Sequence, residues 1–288
     1  IVDIDKYQLK KINIPRSYKI NACCNDFITD FNSFFKKKIK LKKFKNWIDE
    51  TQTLKKLYSN EFLFSNNKNL DHYYFTNKLS KVLKPGQLIS TGSSGLGIEI
   101  LYTHFQTKKN QRIYLTSGLG SMGYGLPSAI GNCLSNYKKK TILIESDGSF
   151  MFNIQELATI LHHQIPVKIF IYNNGGYLTI KQTQELGFNK RIMGSNKKTG
   201  LSFPDYKKIA ESHNIKYYKI KNNINLKKNL KKILSNNKPI ICELIIDHNQ
   251  EQMPKAINKR MPDGKSIPTK YEDMYPFLSS KELKENML

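Results

Sequence analysis

Two stretches constrain the fold more than anything else in this chain. "TILIE" (141–145) and "IPVKIFIY" (165–172) are almost wholly apolar and rich in β-branched residues. A strand with one wet face alternates apolar and polar residues, and apart from Thr141, Glu145 and Lys168 these two are apolar throughout. They predict strands covered on both sides, as in a parallel sheet flanked by helices. Shorter strands are expected near 87–91, 112–116 and 239–246, with helical stretches between them. That alternation describes an α/β fold, a doubly wound parallel sheet with helices on both faces. One helix is expected at "LDHYYFTNKLSKVL" (70–83), and amphipathic 3.6-residue spacing predicts two more at 204–215 and 224–236. The tail, "MPDGKSIPTKYEDMYPFL", has no clear period and is expected to lie over the domain or a neighbour.

Each of the two buried strands ends in an unusual loop. The first runs into Ser146-Asp147-Gly148-Ser149, with Asn153 expected to cap the following run "IQELATILHH"; the second runs into Asn173-Asn174-Gly175-Gly176. Taken alone, an Asp-Gly pair is an ordinary turn. Two consecutive parallel strands, however, open their loops at the same sheet edge, where ligands of open α/β sheets bind. The Asp147 carboxylate and the Asn174 amide oxygen can then meet at one point. Oxygen ligands on glycine-softened loops suit Mg²⁺, which takes its remaining ligands from phosphates and water. Gly148 and the free N–H groups at the helix start suit those phosphates.

The two loops also carry a resemblance. "SDGSF", followed 27 positions after its Asp by the second Asn of "NN", resembles the thiamine diphosphate-binding motif. "TSGLGSMGYGLPSAIG" (116–131) resembles the matching stretch of the acetolactate synthase family, and the likeness runs over about 80–250 and the opening "IVDID". It implies thiamine diphosphate and Mg²⁺ as cofactors, with Asp147, Asn174 and the Gly176 carbonyl as metal ligands. It also implies that Gly148 and Ser149 meet the diphosphate, that the Gly120 carbonyl accepts from the aminopyrimidine, and that Met122 holds the cofactor bent. The "TGSSGL" at 91–96 departs from the Gln-His pattern of acetolactate synthases, so contacts from Gly92 to Leu96 are weakly supported.

The chain starts at Ile1, and "IVDIDKYQL" reads as the last strand and turn of a domain. The expected division is 1–29 as the end of a truncated middle domain, 30–60 as a helical connector with the only tryptophan, Trp47, and 61–288 as the cofactor-binding carboxyl-terminal domain. The resemblance places an activating glutamate on an amino-terminal domain of a partner subunit. This chain alone is therefore expected to be inactive, and the full-length form to be a homodimer or homotetramer.

The formal charge is +24, which raises the question of nucleic acid. Only four of the 47 basic residues are arginines, whereas nucleic-acid surfaces lean on arginine. Lysine and asparagine are abundant together, as an adenine-rich coding bias produces. Runs such as "KKKIKLKKFK" (36–45) and "YKKKT" (137–141) therefore read as solvated faces, with no nucleic-acid partner expected. No run approaches a membrane span and nothing resembles a signal peptide, so a cytoplasmic location is expected, barring a targeting segment further upstream. The four cysteines, Cys23, Cys24, Cys133 and Cys242, have no metal or disulfide spacing and are expected to be reduced thiols. His162 and His163, late on a helix, read as structural.

By resemblance the reaction is decarboxylation of a 2-oxo acid followed by carboligation to an acceptor. Acetolactate synthases carry a Met and then a Trp after the double Asn, and those positions are Thr179 and Thr183 here. The departure opens two alternatives: a carboligase using a keto-sugar acceptor in surface-glycan biosynthesis, and a simple 2-oxo acid decarboxylase. A relic of regulatory use would have lost the Asp147–Asn174 pair.

Overall fold

The computed structural model describes residues 1–38, 44–59, 69–92, 95–116, 118–261 and 263–287. They form two compact units, Ile1–Tyr58 and Ser59–Leu288. In the first, β1 (Val2–Asp3) pairs in parallel with β2 (Ile20–Asn21). Between them, α1 (Lys6–Lys11) is capped by the Asp5 carboxylate, which accepts from Tyr7 N at 2.8 Å. The expected closing strand and turn are thus a small β-α-β unit. Two helices follow, α2 (Cys24–Lys38) and α3 (Lys45–Leu57). Helix α2 runs straight through residues 29 and 30, so no break falls at the division expected there. The division expected between 60 and 61 lies outside the described residues, as do 39–43 of the lysine run.

The second unit is a doubly wound sheet. Its elements are α4 (His72–Val82), β3 (Leu88–Thr91), α5 (Leu96–His104), β4 (Arg112–Tyr114), α6 (Gly125–Ser135), β5 (Thr141–Ser146), α7 (Asp147–Phe150), α8 (Glu156–His162), β6 (Val167–Asn173), α9 (Leu178–Gly187), α10 (Tyr206–Ser212), β7 (Lys216–Ile220), α11 (Leu226–Leu234) and β8 (Ile240–Ile245). The six strands stand in the order β4-β3-β5-β6-β8-β7, every neighbouring pair parallel.

Alternation along the strands divides the core between the two faces. Ile142, Ile144, Phe170, Tyr172, Cys242 and Leu244 pack under α4, α5 and α11, against Phe75, Leu79, Ile100, Leu230 and Ile233. Leu143, Ile169, Ile171 and Ile241 pack under α6, α8 and α10, against Ala129, Leu157, Ile160 and Ala210. Burying such a side chain fully contributes about 1.5–3 kcal/mol, which is why both runs had to be apolar throughout. Lys168 is no exception at its charged end. Its amine reaches the sheet edge, donating to Asn236 Oδ1 at 2.8 Å and to the Lys238 carbonyl.

The tail lies on this unit. Residues Lys259–Arg260 (β9) and Ser266–Ile267 (β10) form an antiparallel pair, and α12 spans Ser280–Asn286. The Tyr73 hydroxyl is 3.0 Å from the carbonyls of Glu251 and Met253, tying the tail to α4. In the run 137–141, Tyr137, Lys138 and Lys139 are exposed, as expected, while half-buried Lys140 donates to the Leu234 carbonyl at 2.7 Å and Thr141 is buried. All four cysteines are free, and among the described residues no helix is long and apolar enough to cross a membrane.

Candidate cofactor and metal site

The strand order places a switch point between β3 and β5. The chain leaves β3 into α5 on one face and leaves β5 toward α8 on the other, so the loops splay apart at the carboxyl edge. A cleft of about 310 Å³ opens there, lined by the loops after β3, β4, β5 and β6.

Asp147 is the floor of that cleft. It starts α7 directly, so the expected turn is the first turn of a helix. Its side chain is only 1% exposed. Oδ2 accepts the backbone N–H groups of Asn174 (3.1 Å), Gly175 (3.0 Å) and Gly176 (3.2 Å), and Oδ1 accepts that of Gly148 (2.7 Å). Only a chain that bends back on itself can aim three consecutive amides at one oxygen, and Gly175 supplies the bend with φ +73°. The carboxylate therefore locks the β6 loop to the β5 loop.

One end of the Asn174 side-chain amide lies 3.2 Å from Asp147 Oδ2 and 2.9 Å from the Gly176 carbonyl oxygen. With its nitrogen there, the amide bridges the two oxygens by hydrogen bonds. With its oxygen there, three oxygens face one point, and a divalent cation selects that orientation. The donor set fits Mg²⁺, a hard ion that accepts carboxylate, amide and carbonyl oxygens and completes its octahedron from phosphate and water. Among the described residues no group of three His, Cys, Asp or Glu side chains could hold a metal ion.

The β4 loop closes the opposite wall. Gly123 N–H donates to Ser149 Oγ at 2.9 Å, and Asn153 Nδ2 donates to the Gly123 carbonyl at 2.9 Å. Ser149 and Asn153 thus clamp this loop. Asn153 was expected to cap the next helix, but a 3₁₀ turn at Met151–Asn153 intervenes and α8 starts at Glu156. The clamp brings Gly120 and Met122 to the cleft beside Asp147, Gly148, Ser149, Asn174, Gly176 and Thr179. Gly95 and Leu96 also line it, whereas Ser93 and Ser94 lie outside the described residues.

Thr183 does not join them. Its exposed hydroxyl donates to the Thr179 carbonyl at 2.9 Å, and it faces a different cavity, beside Leu186, Phe188, Lys255 and Ile257. In this chain Thr179 and Thr183 therefore do not share one pocket. The Thr179 hydroxyl is taken as well, donating to Gln252 Oε1 of the tail at 3.1 Å. Three further lining residues, Tyr177, Leu178 and Ile180, carry no motif signal, and Ser146 lines the cleft from within "SDGSF". Tyr177 does explain Gly148: a Cβ there would stand 2.1 Å from the Tyr177 ring.

A second buried acid stands behind the cleft. Glu145 is 0% exposed, and its carboxylate fills the space vacated by Gly92 and Gly125, where added Cβ atoms would meet it at 1.8 and 2.0 Å. Burial pushes both carboxyls up, Asp147 to about 7 against the opposing pull of its four N–H donors, and Glu145 likewise to about 7. The folded chain then holds protons that the unfolded chain has released between about pH 4 and 7. The contribution of these two carboxyls to stability without metal accordingly falls as pH rises through that window and levels off above it. It outweighs the opposite contribution of buried His72 alone, whose pKa burial lowers from 6.5 to about 3. The melting temperature in chelator is expected to be higher at pH 5.5 than at 7.5, with a shallower slope in Asp147→Asn. Equal slopes in scanning calorimetry would remove Asp147 from this linkage.

A parallel sheet whose carboxyl edge brings a carboxylate, an amide and a carbonyl together beside a helix start has the α/β arrangement in which ligands bind at strand ends. Residues 91–244 match the family described as "Thiamine pyrophosphate enzyme, C-terminal TPP binding domain", and the chain belongs to that family. It is similar to the acetolactate synthase large subunit of Cyanidium caldarium, 35% identical over 48% of this chain and 23% of that one. It is also similar to the chloroplastic acetolactate synthase 1 of Zea mays, 29% identical over 73% of this chain and 33% of that one. A third relative is the probable acetolactate synthase large subunit of Methanocaldococcus jannaschii, 32% identical over 73% and 36%. The chain thus spans about a quarter to a third of the length of these relatives.

Proposed function

We propose that the cleft binds thiamine diphosphate through Mg²⁺, and that the protein carrying this chain decarboxylates a 2-oxo acid and joins the remainder to an acceptor, as an acetolactate synthase-like enzyme. The convergence of Asp147 Oδ2, the Asn174 amide and the Gly176 carbonyl carries the reading. The family and the relatives' printed names support it.

When bound, thiamine diphosphate supplies a thiazolium carbon that adds to the 2-oxo group and absorbs the charge left by departing carbon dioxide. The chain's own residues bind and orient. Asp147, Asn174 and Gly176 hold the cation that neutralises the diphosphate, and Gly148 and Ser149 keep the helix start against it. Gly120 and Met122 face the aminopyrimidine side, and Leu178 and Ile180 keep water from the walls. Among the described lining residues Asp147 is the only acid, and its oxygens are committed to the loop and the metal. In this reading the acid that activates the aminopyrimidine comes, as the family resemblance implies, from an amino-terminal domain of a partner subunit in a dimer or tetramer. Thr183 gives the keto-sugar reading no support, because its hydroxyl is engaged and lies outside the cleft.

The test has two parts. By calorimetry, the 288-residue chain should bind thiamine diphosphate only when Mg²⁺ is present. Product analysis with pyruvate should show acetolactate from the longer protein and no turnover by this chain alone. Absence of Mg²⁺-dependent binding would refute the site. Aldehyde or a sugar adduct as the main product would refute the reaction.

A further inference from the structure

At the amino edge of the sheet, a strand's length or about 20 Å from the cleft, lies a second hollow. It measures about 570 Å³, between the end of α4, helix α11 and the residues that lead into β3 and β5. Lys78, Lys81, Lys84, Lys140, Lys227 and Lys231 line it, and no carboxylate is among its described lining residues.

Ordinary structural roles account for part of this cluster. Lys140 satisfies the Leu234 carbonyl near the end of α11, and the Lys78 amine lies 4.9 Å from the centroid of the Tyr74 ring. Lys81 sits in the last turn of α4, where positive charge is favourable. The others are placed against local preference. Lys227 is in the first turn of α11, where a cation opposes the helix dipole. Lys227 and Lys231 are four apart on one helix, where like charges repel. Lys84 crowds Lys140 enough to help lower its pKa, after burial. Among the described residues, the amines of Lys81, Lys84, Lys227 and Lys231 have no ion-pair partner.

We propose that this hollow binds a small anion carrying two or more linked phosphates, either a nucleoside polyphosphate or free inorganic polyphosphate. Lysine side chains that line the hollow from α4, α11 and the residues that lead into β3 and β5, long and flexible, can place their ammonium groups as point charges on several phosphate oxygens at once. The hollow is concave and of ligand size. A nucleic-acid strand would instead need a charged track extending past it.

The probes are inorganic tripolyphosphate and ATP, titrated into the 288-residue chain at constant ionic strength. Chelator and an Asp147→Asn background remove metal-dependent binding at the cleft. Saturable one-to-one binding is expected, weakened at least about tenfold by Lys84→Ala with Lys231→Ala. Lys207→Ala with Lys208→Ala, on α10, should leave it unchanged, and unaltered circular dichroism would show that both double variants fold. ATP binding more than tenfold tighter than tripolyphosphate identifies a nucleotide, and equal affinity identifies free polyphosphate. No saturable binding, or equal weakening by both pairs, overturns the proposal. So does an oligonucleotide whose affinity grows with strand length and which displaces the probe.

Discussion

Asp147→Asn is expected to lower Mg²⁺-dependent affinity for thiamine diphosphate by at least about 100-fold. Changes merely in the shell behind a metal ligand cost 10–100-fold, and this one removes the only charged ligand. The substitution keeps the side chain's shape, so the loops need not move. Its nitrogen must face either the three amides of 174–176 or the Gly148 N–H, all of which now donate to the carboxylate. One buried donor left unpaired costs about 1–3 kcal/mol, so a modest fall in melting temperature accompanies the loss. Asn174→Ala should show the affinity loss with less destabilisation, because its backbone N–H bond to Asp147 survives. Calorimetry returning wild-type, Mg²⁺-dependent affinity for either variant would disprove the metal assignment.

Gly176→Ala is expected to damage folding and binding together. The added Cβ would stand 2.1 Å from the Ser195 carbonyl oxygen, 3.2 Å from Ser195 C and 3.3 Å from Asn196 Cα. All three are main-chain atoms, so no rotamer change relieves the overlap. The 195–196 segment is held there because Tyr177 N–H donates to the Ser195 carbonyl at 2.8 Å. Forcing the two segments apart costs about 1–3 kcal/mol and moves the third oxygen of the site. Gly187→Ala, at the end of α9 with nothing within 4 Å, is the contrast: neutral, or stabilising by less than about 1 kcal/mol. Denaturant melts rank the pair, and a Gly176→Ala protein as stable as wild type would mean the two segments are not in close contact.

The central strands were legible because burial on both faces leaves no freedom of composition. β5, β6 and β8 are apolar nearly throughout and fall where the sequence placed them. β7, "KYYKI", was missed because it is an edge strand, largely half-exposed, and its lysines reach solvent. Its pairing to β8 is a tertiary fact that no local pattern carries. The same distinction runs through the site. Asp147 and Asn174, each an ordinary turn former alone, stood out because two consecutive parallel strands bring their loops to one sheet edge. Tyr177, Leu178 and Ile180 are ordinary apolar residues until the fold turns them toward a cleft. Ser149 and Asn153 had plausible phosphate and capping roles, yet their side chains clamp Gly123, a partner 26 and 30 residues away in sequence. Thr183 opens on a different cavity from Thr179 for a related reason: counting positions along a helix does not say which cavity each turn faces.

Four hydrogen bonds to the Asp147 carboxylate come from main-chain N–H. Amide hydrogens are present whatever the codon says, provided the backbone can bend and no side chain intrudes. The inheritance of this centre therefore rests on a few letters: the acid, the asparagine and the glycines that let the loops close. The rest of the coding sequence is free to slide toward lysine and asparagine under compositional pressure. A gene can change most of its surface in this way while its chemical centre stays fixed, since the parts most exposed to drift are not the parts that hold the carboxylate.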